Sequence, residues 1–407
     1  MNTLYGENSI TKERNVLLVL QEVENSDAET KDLIKRFCGK IIYNVAEIQA
    51  GKRLYVCGDI SLLQEQSLPL FIIQELSRNY EHLHENNIHL ITLGEVPVIV
   101  SNAGVYFRRL FTGDDFFDKI KSEHAFQELT ESNKPSKAFR KGIYLTDIRK
   151  EEAAAGNEAL HYRLLRCSSN LTGPTDNFRT TDRQIIDRLN EEVKYVFEER
   201  TDLNHVLAQI YENKAKTEDT DKEVKSRIKA HSDKTKDMPA EGLIVFCTFY
   251  DTADLAHLKP VEADRYDRCY KDVSGFTRLF FKLKSTVEDD SLEKDFSVTL
   301  YPNSVFMIPL STNRLYTHEI RPSMLNVDMI PTRLGYVVRC SNLEAVHTNN
   351  QTFIKDNGQF IELEKMTVEM QEELRSSYYE ENKSEKLMTY GKVHFSMNAG
   401  DYEKPIF

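Results

Sequence analysis

The sequence predicts an α+β chain in which a double-stranded β-helix, or jelly roll, follows a smaller α/β domain. Residues 204–341 break into short runs of β-branched and aromatic residues with turn residues between them, the pattern of a two-sheet β domain. Residues 1–115 instead mix strand-like runs with one stretch of helical periodicity. Residues 359–407 are acidic: positions 361–385 carry eight Glu against three Lys or Arg, a net of −5 (3 − 8). The expected division is 1–115, an α/β domain of unassigned role, 116–358, the jelly roll, and 359–407, an acidic helix with a loosely packed tail.

In the first segment, residues 16–20, 40–45, 53–57, 89–93 and 96–100 read as strands, and residues 68–83 as a helix stopped by Asn86 and Asn87. Residues 142–145 and 161–167 follow as strands, joined by a polar connection over 150–159. Residues 170–178, with Gly173-Pro174, read as a loop. Residues 181–197 form an amphipathic helix whose stripe is Ile185, Ile186, Leu189, Val193, Val196 and Phe197. The succession of strands then occupies 206–211, 243–250, 276–283, 296–300, 304–310, 314–320 and 333–340.

The chain of 407 residues is 40% hydrophobic and 29% charged, enough to bury a sizeable core, and no apolar run approaches the roughly 20 residues of a membrane span. The polar N-terminus is not that of a secretory signal. Six cysteines without a CxxC pair are expected to be free thiols, so the predicted location is cytoplasmic, with the nucleus left open. A net charge of −12 is the opposite of the basic face that nucleic-acid binding uses. A local basic run (Lys214, Lys216, Lys222, Lys225, Arg227, Lys229, Lys234, Lys236) is interspersed with acids and reads first as a solvated loop. His82, His84, His89, His257, His347 and His394 read as surface or structural histidines.

The chemistry gathers elsewhere. His231-Ser232-Asp233 is followed by a second histidine, His318, and by two arginines, Arg333 and Arg339. Alternate residues of extended backbone point one way, so His231 and Asp233 reach one ion together. His318 is expected to complete the set from a strand lying opposite in the sandwich. Two imidazoles and one carboxylate bind one face of a metal and leave the other open, as in non-haem Fe(II) oxygenases. Arg333 and Arg339 are six apart and share a face of their strand. Fork-shaped cations suit a small dicarboxylate such as 2-oxoglutarate, which chelates Fe(II) through its C1 carboxylate and C2 oxo group. Its C5 carboxylate, costly to bury alone, needs an arginine. Gln209 and Tyr211, also alternate, offer an amide and a phenol to the same ligand.

Over about 204–341 the chain resembles the AlkB-type branch of the Fe(II)/2-oxoglutarate dioxygenases. Gln209-Ile210-Tyr211 is similar to the family's strand that contacts 2-oxoglutarate, and His231-Ser232-Asp233 to its metal motif. The run from Asn313 to Ile320 resembles the strand ending in the distal histidine, His318. The run from Arg333 to Arg339 resembles an Arg-x-Asn-x-Thr-x-Arg strand, with Gly335 and Val337 in place of Asn and Thr. The resemblance implies that Arg333 holds the C5 carboxylate and that Arg339 lies near the chelating end. It implies consumption of O2 and hydroxylation or oxidative N-demethylation, nominally of a modified nucleobase in DNA or RNA. A small metabolite or protein side chain as substrate, or a binding protein that has lost catalysis, remain the alternatives. No membrane partner is expected, and the sequence leaves oligomeric state open.

Overall fold

Residues 16–20 alternate between two buried faces, which places their strand inside a sheet covered on both sides. In the computed structural model, which describes residues 6–20, 27–63, 68–80, 87–113, 115–130, 137–152, 158–167, 171–214 and 223–407, this strand lies inside a parallel sheet, second of five. The order is Lys40–Ile42, Asn15–Leu20, Arg53–Asp59, Leu70–Arg78, Ile88–Ile91. Leu17, Val19 and Tyr55 pack on one face with Leu33 of helix Ala28–Arg36, whose start is capped by Asp27 accepting from the Thr30 amide. Val16, Leu18, Val56 and Ile72 pack on the other. The helix expected over 68–83 is therefore a strand, Leu70–Arg78, and residues 81–83 lie outside the described residues. A strand covered on both faces reads as a continuous apolar run, and periodicity alone does not separate that from a buried helix.

The larger sheet runs in the order Asp176–Asn177, Lys137–Thr146, His205–Tyr211, Arg333–Arg339, Leu243–Tyr250, Ser304–Pro309, Gly104–Phe107, Val98–Val100, with Gln127–Thr130 on Lys137–Thr146. Two of its strands thus come from before residue 116. A four-stranded sheet packs on one face, in the order Ile228–His231, Tyr316–Ile320, Arg278–Leu283, Asp295–Thr299. Alternation along each strand sorts the side chains. Ala208, Ile210, Val245, Cys247, Leu334 and Val338 point to the face covered by helix Thr180–Val196, against Ile185, Leu189 and Val193. Each fully buried aliphatic of this kind contributes about 1.5–3 kcal/mol. Phe246, Phe306 and Ile308 point the other way, against Phe281, Tyr316 and Ile320 of the smaller sheet. The architecture is α+β and rich in strands.

Three further expectations are corrected. The strand expected over 314–320 begins later: Leu310–Leu315 is a short helix and Tyr316–Ile320 the strand. Of the connection expected over 150–159, the described residues are strand, with Arg149–Glu152 pairing Glu158–Leu164 and leading into Leu343–Thr348, Gln351–Asp356 and Gln359–Glu362, and residues 153–157 lie outside the described residues. The tail is not loosely packed. Phe395, Ser396, Asn398 and Asp401 are buried, Arg166 donates to the carbonyls of Val393 and Phe395, and the Ile406 amide bonds the Thr175 carbonyl at 2.9 Å. Acidic composition pointed to solvent, but single apolar anchors (Leu374, Tyr378, Phe395) tie the segment down. Among the described residues no helix is long and apolar enough to cross a membrane.

Candidate metal centre

Strand Ile228–His231 pairs antiparallel with Tyr316–Ile320, and the register sets His231 directly across from His318. The second histidine thus comes from the neighbouring strand of the same sheet, not from one lying opposite, because hydrogen-bonded neighbours already bring side chains within about 5 Å. The two rings lie 4.4 Å apart at 51°. Asp233 follows two residues after His231, its Oδ1 3.5 Å from His231 Nε2 and 3.9 Å from His318 Nε2. One ligand atom from each of the three lies within 4.8 Å of the others.

Neighbouring groups hold this motif in place. The Asp233 amide donates to Asn313 Oδ1 at 2.8 Å, and Asn313 Nδ2 donates back to the Asp233 carbonyl at 2.9 Å. The Ser232 amide donates to Asn382 Oδ1 at 2.7 Å and its hydroxyl to the Tyr316 carbonyl at 3.1 Å. Asn382 lies on the acidic helix Val368–Lys383, so this C-terminal element buttresses the back of the motif. His231 Nδ1 lies 2.9 Å from the Lys229 carbonyl, which favours the tautomer that leaves Nε2 with its lone pair.

Electrostatics prepare the three side chains as ligands. Arg339 donates through Nε and Nη2 to Asp233 Oδ2, at 2.9 and 2.6 Å, leaving Oδ1 toward the imidazoles. Burial pushes the Asp233 carboxyl upward, but the Arg339 guanidinium and the two histidines hold it well below the usual carboxylate range. Burial, with His231 and Arg339 nearby, pulls His318 down to about 3 against the opposing charge of Asp233, so its imidazole is neutral at pH 7. Its buried Nδ1 has no hydrogen-bond partner among the described residues. Two imidazoles and an ionised carboxylate are a donor set for a divalent transition metal.

The ligand tips open into a cavity of about 200 Å³ that all seven residues singled out from the sequence line: His231, Asp233, His318, Gln209, Tyr211, Arg333 and Arg339. Its floor is a set of cross-strand rows on the larger sheet. One row is Arg140, Tyr211, Arg333, Tyr250, and the next is Gly142, Gln209, Gly335, Thr248. The two glycines in the second row admit neighbouring side chains: Leu129 Cδ1 stands 2.9 Å from where a Cβ at Gly142 would be. A Cβ at Gly335 would meet Arg333 Nη1 at 2.9 Å and Tyr211 Cε2 at 3.1 Å. Arg333 is buried, its Cζ 4.0 Å above the Tyr211 ring, and among the described residues it has no carboxylate partner. The Tyr211 hydroxyl donates to Gln209 Oε1 at 2.9 Å.

Arg140 and Thr248 escaped the sequence reading. Thr248 Oγ1 and Arg140 Nε are buried without hydrogen-bond partners among the described residues, and both residues line the cavity. Alternation gives only the face of each strand they share, Arg140 in step with Gly142 and Tyr144 and Thr248 with Phe246 and Tyr250; that these faces line the cavity depends on strand pairing. The basic run divides: Lys234 lines the cavity with Nζ 4.4 Å from the Tyr378 ring, and Lys236 is paired with Asp237 at 2.8 Å, while Lys216 and Lys222 lie outside the described residues. His257, His347 and His394 bond Met329, Thr352 and Asp356 and stand away from the centre, and His89 stacks on Phe71. His82 and His84 lie outside the described residues.

A second group, Glu123, His124 and Asp182, also has metal-ligand spacing. Both nitrogens of His124 are taken, by Asp176 and Asp182 at 2.8 Å each, and Tyr336 donates to Asp182 at 2.7 Å. Burial pulls the imidazole down, but the two carboxylates reverse that and raise it to about 9. A protonated histidine engaged at both nitrogens is a structural ion cluster, not a ligand.

No family model matches the chain, and no curated protein does. Among solved structures, that of OsALKBH1 aligns with 58% of this chain and 96% of its own, at 12% identity and a TM-score of 0.33.

Proposed function

We propose that this protein is an Fe(II)- and 2-oxoglutarate-dependent dioxygenase of AlkB-like type, oxidising a C–H bond by hydroxylation or oxidative N-demethylation, with a modified nucleobase in DNA or RNA as the nominal substrate. The observation that carries the reading is the meeting of His231, Asp233 and His318 at a cavity that also holds a buried guanidinium, Arg333, without a carboxylate partner. The strand order supports a double-stranded β-helix. Counted along the chain from His205–Tyr211, and passing over a small sheet inserted at 259–274, the larger sheet holds strands one, eight, three and six, and the smaller holds two, seven, four and five. On this reading residues 116–358 are the dioxygenase domain, 1–115 an α/β domain that lends it two edge strands, and 359–407 a brace behind the metal motif.

His231, Asp233 and His318 would hold the ferrous ion, which with 2-oxoglutarate and O2 supplies the oxidising power to break a C–H bond and gives succinate and CO2. Arg333 binds the C5 carboxylate, with Tyr211 stacked behind it and Gln209 and Thr248 beside it. Arg339 orients Asp233 and keeps it ionised, and its Nη1, without a hydrogen-bond partner among the described residues, is left for the chelating end of the keto acid. Leu207, Phe246, Leu279 and Val337 supply apolar wall that excludes water. The six free cysteines support a reducing compartment, the cytoplasm or the nucleus.

A small metabolite or protein side chain as substrate is favoured by the net charge of −12. Oligonucleotide binding that weakens steeply with salt supports the nucleobase; its absence at low salt supports the second reading. Conversion of 2-oxoglutarate to succinate, dependent on Fe(II) and without added substrate, tests the reaction class. No succinate from metal-loaded protein sinks it and leaves the inactive binding protein.

A further inference from the structure

Within the proposed reaction, Arg140 has no task. It lies in the cavity floor in the same cross-strand row as Arg333, on the strand at the other side of Tyr211. Arg333 has the Tyr211 ring beneath it, whereas Arg140 Nε is buried, and among the described residues Arg140 Nε has no hydrogen-bond partner and Arg140 no ion pair. Four cationic side chains, Arg140, Lys234, Arg333 and Arg339, face this cavity with one carboxylate, Asp233, and Arg339 already occupies an oxygen of it. A dicarboxylate bound through a metal at one end has one carboxylate left, enough for Arg333. That leaves the charge of Arg140 uncompensated in a partly desolvated place, a costly state.

We propose that Arg140 is the recognition residue for a second anion, a carboxylate or phosphate carried by the oxidised substrate, which enters the cavity beside the co-substrate. The inference rests on the dioxygenase reading and narrows its substrate to one bearing an anionic group near the carbon that is oxidised. Guanidinium geometry suits both anions, each able to take two parallel hydrogen bonds. The cavity of about 200 Å³ that Arg140 lines is the one into which His231, Asp233 and His318 also face.

The test uses full-length protein loaded with Mn(II) and the inert analogue N-oxalylglycine, titrated calorimetrically with butyrate, inorganic phosphate and neutral butyramide. The proposal expects one or both anions to bind, butyramide not to bind, Arg140→Gln to weaken anion binding about tenfold or more, and Arg140→Lys to restore part of it. Butyrate alone points to a carboxylate substrate and phosphate alone to a phosphorylated one. A crossed comparison separates the two arginines: Arg333→Gln should cost N-oxalylglycine affinity more than anion affinity, and Arg140→Gln the reverse. Absence of anion binding to the loaded protein overturns the proposal, as does equal binding by Arg140→Gln. If Arg140→Gln instead loses the analogue as Arg333→Gln does, Arg140 belongs to the co-substrate clamp; the second anion is wrong and the dioxygenase reading stands. Wild-type protein that binds neither Mn(II) nor the analogue removes the dioxygenase reading itself.

Discussion

Arg339 takes one oxygen of Asp233 and leaves the other to the histidines. Its Nε and Nη2 lie 2.9 and 2.6 Å from Oδ2, while Oδ1 looks toward His231 and His318 at 3.5 and 3.9 Å. The carboxylate is thereby ionised, oriented and singly available before any ion arrives.

Substituting Arg339 by Lys keeps a charge but loses the fork. The account predicts a fall in Mn(II) affinity of about 10- to 100-fold, the scale of losing an outer partner of a metal ligand. Equilibrium titration of the purified variant measures it, and wild-type affinity would show that Asp233 needs no such support.

Asn313 satisfies both backbone groups of buried Asp233. Asn313→Ala should cost about 1–3 kcal/mol of stability, read from denaturant unfolding, because an amide and a carbonyl are left without partners. Asn382→Ala removes one bond to Ser232 and should cost less, about 0.5–1.5 kcal/mol, while still loosening metal binding. A stable Asn382→Ala protein with unchanged metal affinity would mean that the C-terminal helix does not position the motif.

Gly335 is predicted to matter through its missing side chain. Gly335→Ala places a methyl against Arg333 Nη1 and Tyr211 Cε2, so the guanidinium must leave its stacked position. The apparent constant for 2-oxoglutarate should rise on the order of tenfold, with metal affinity little changed. A constant equal to wild type removes Arg333 from the co-substrate contact.

The His124 cluster gives a pH signature remote from the metal. Its imidazole is raised from an ordinary value near 6.5 to about 9 by Asp176 and Asp182, against burial. A raised folded value stabilises fully below pH 6.5, and the contribution fades as pH climbs through about 9. The stability difference between wild type and His124→Gln should therefore shrink across that interval. A difference that stays flat between pH 6.5 and 9 contradicts a charged His124.

Much of the candidate site was legible because alternation is a local rule. Arg333 with Arg339 and Gln209 with Tyr211 each sit at even spacing on one strand, so a shared face follows from backbone geometry alone, and Asp233 lies two residues beyond His231, where its strand ends. What spacing does not carry is which strands become neighbours. His318 was found by type, yet its place beside His231 rather than across the sandwich depends on the pairing of residues 87 positions apart. Arg140 and Thr248 were invisible for the same reason: each belongs to the cavity only once its strand is set beside the motif strands. The buttress from Asn382 was hidden by composition, since an acidic helix reads as solvated until its few buried anchors are seen to dock.

The central claim is that His231, Asp233 and His318 grip one ferrous ion beside a keto acid. The most direct measurement is succinate formation from 2-oxoglutarate, with Fe(II) and without added substrate, by wild type and by folded His318→Ala protein. The account predicts turnover in the first and its loss in the second. Undiminished turnover in His318→Ala, its fold verified by circular dichroism, contradicts the metal centre described here.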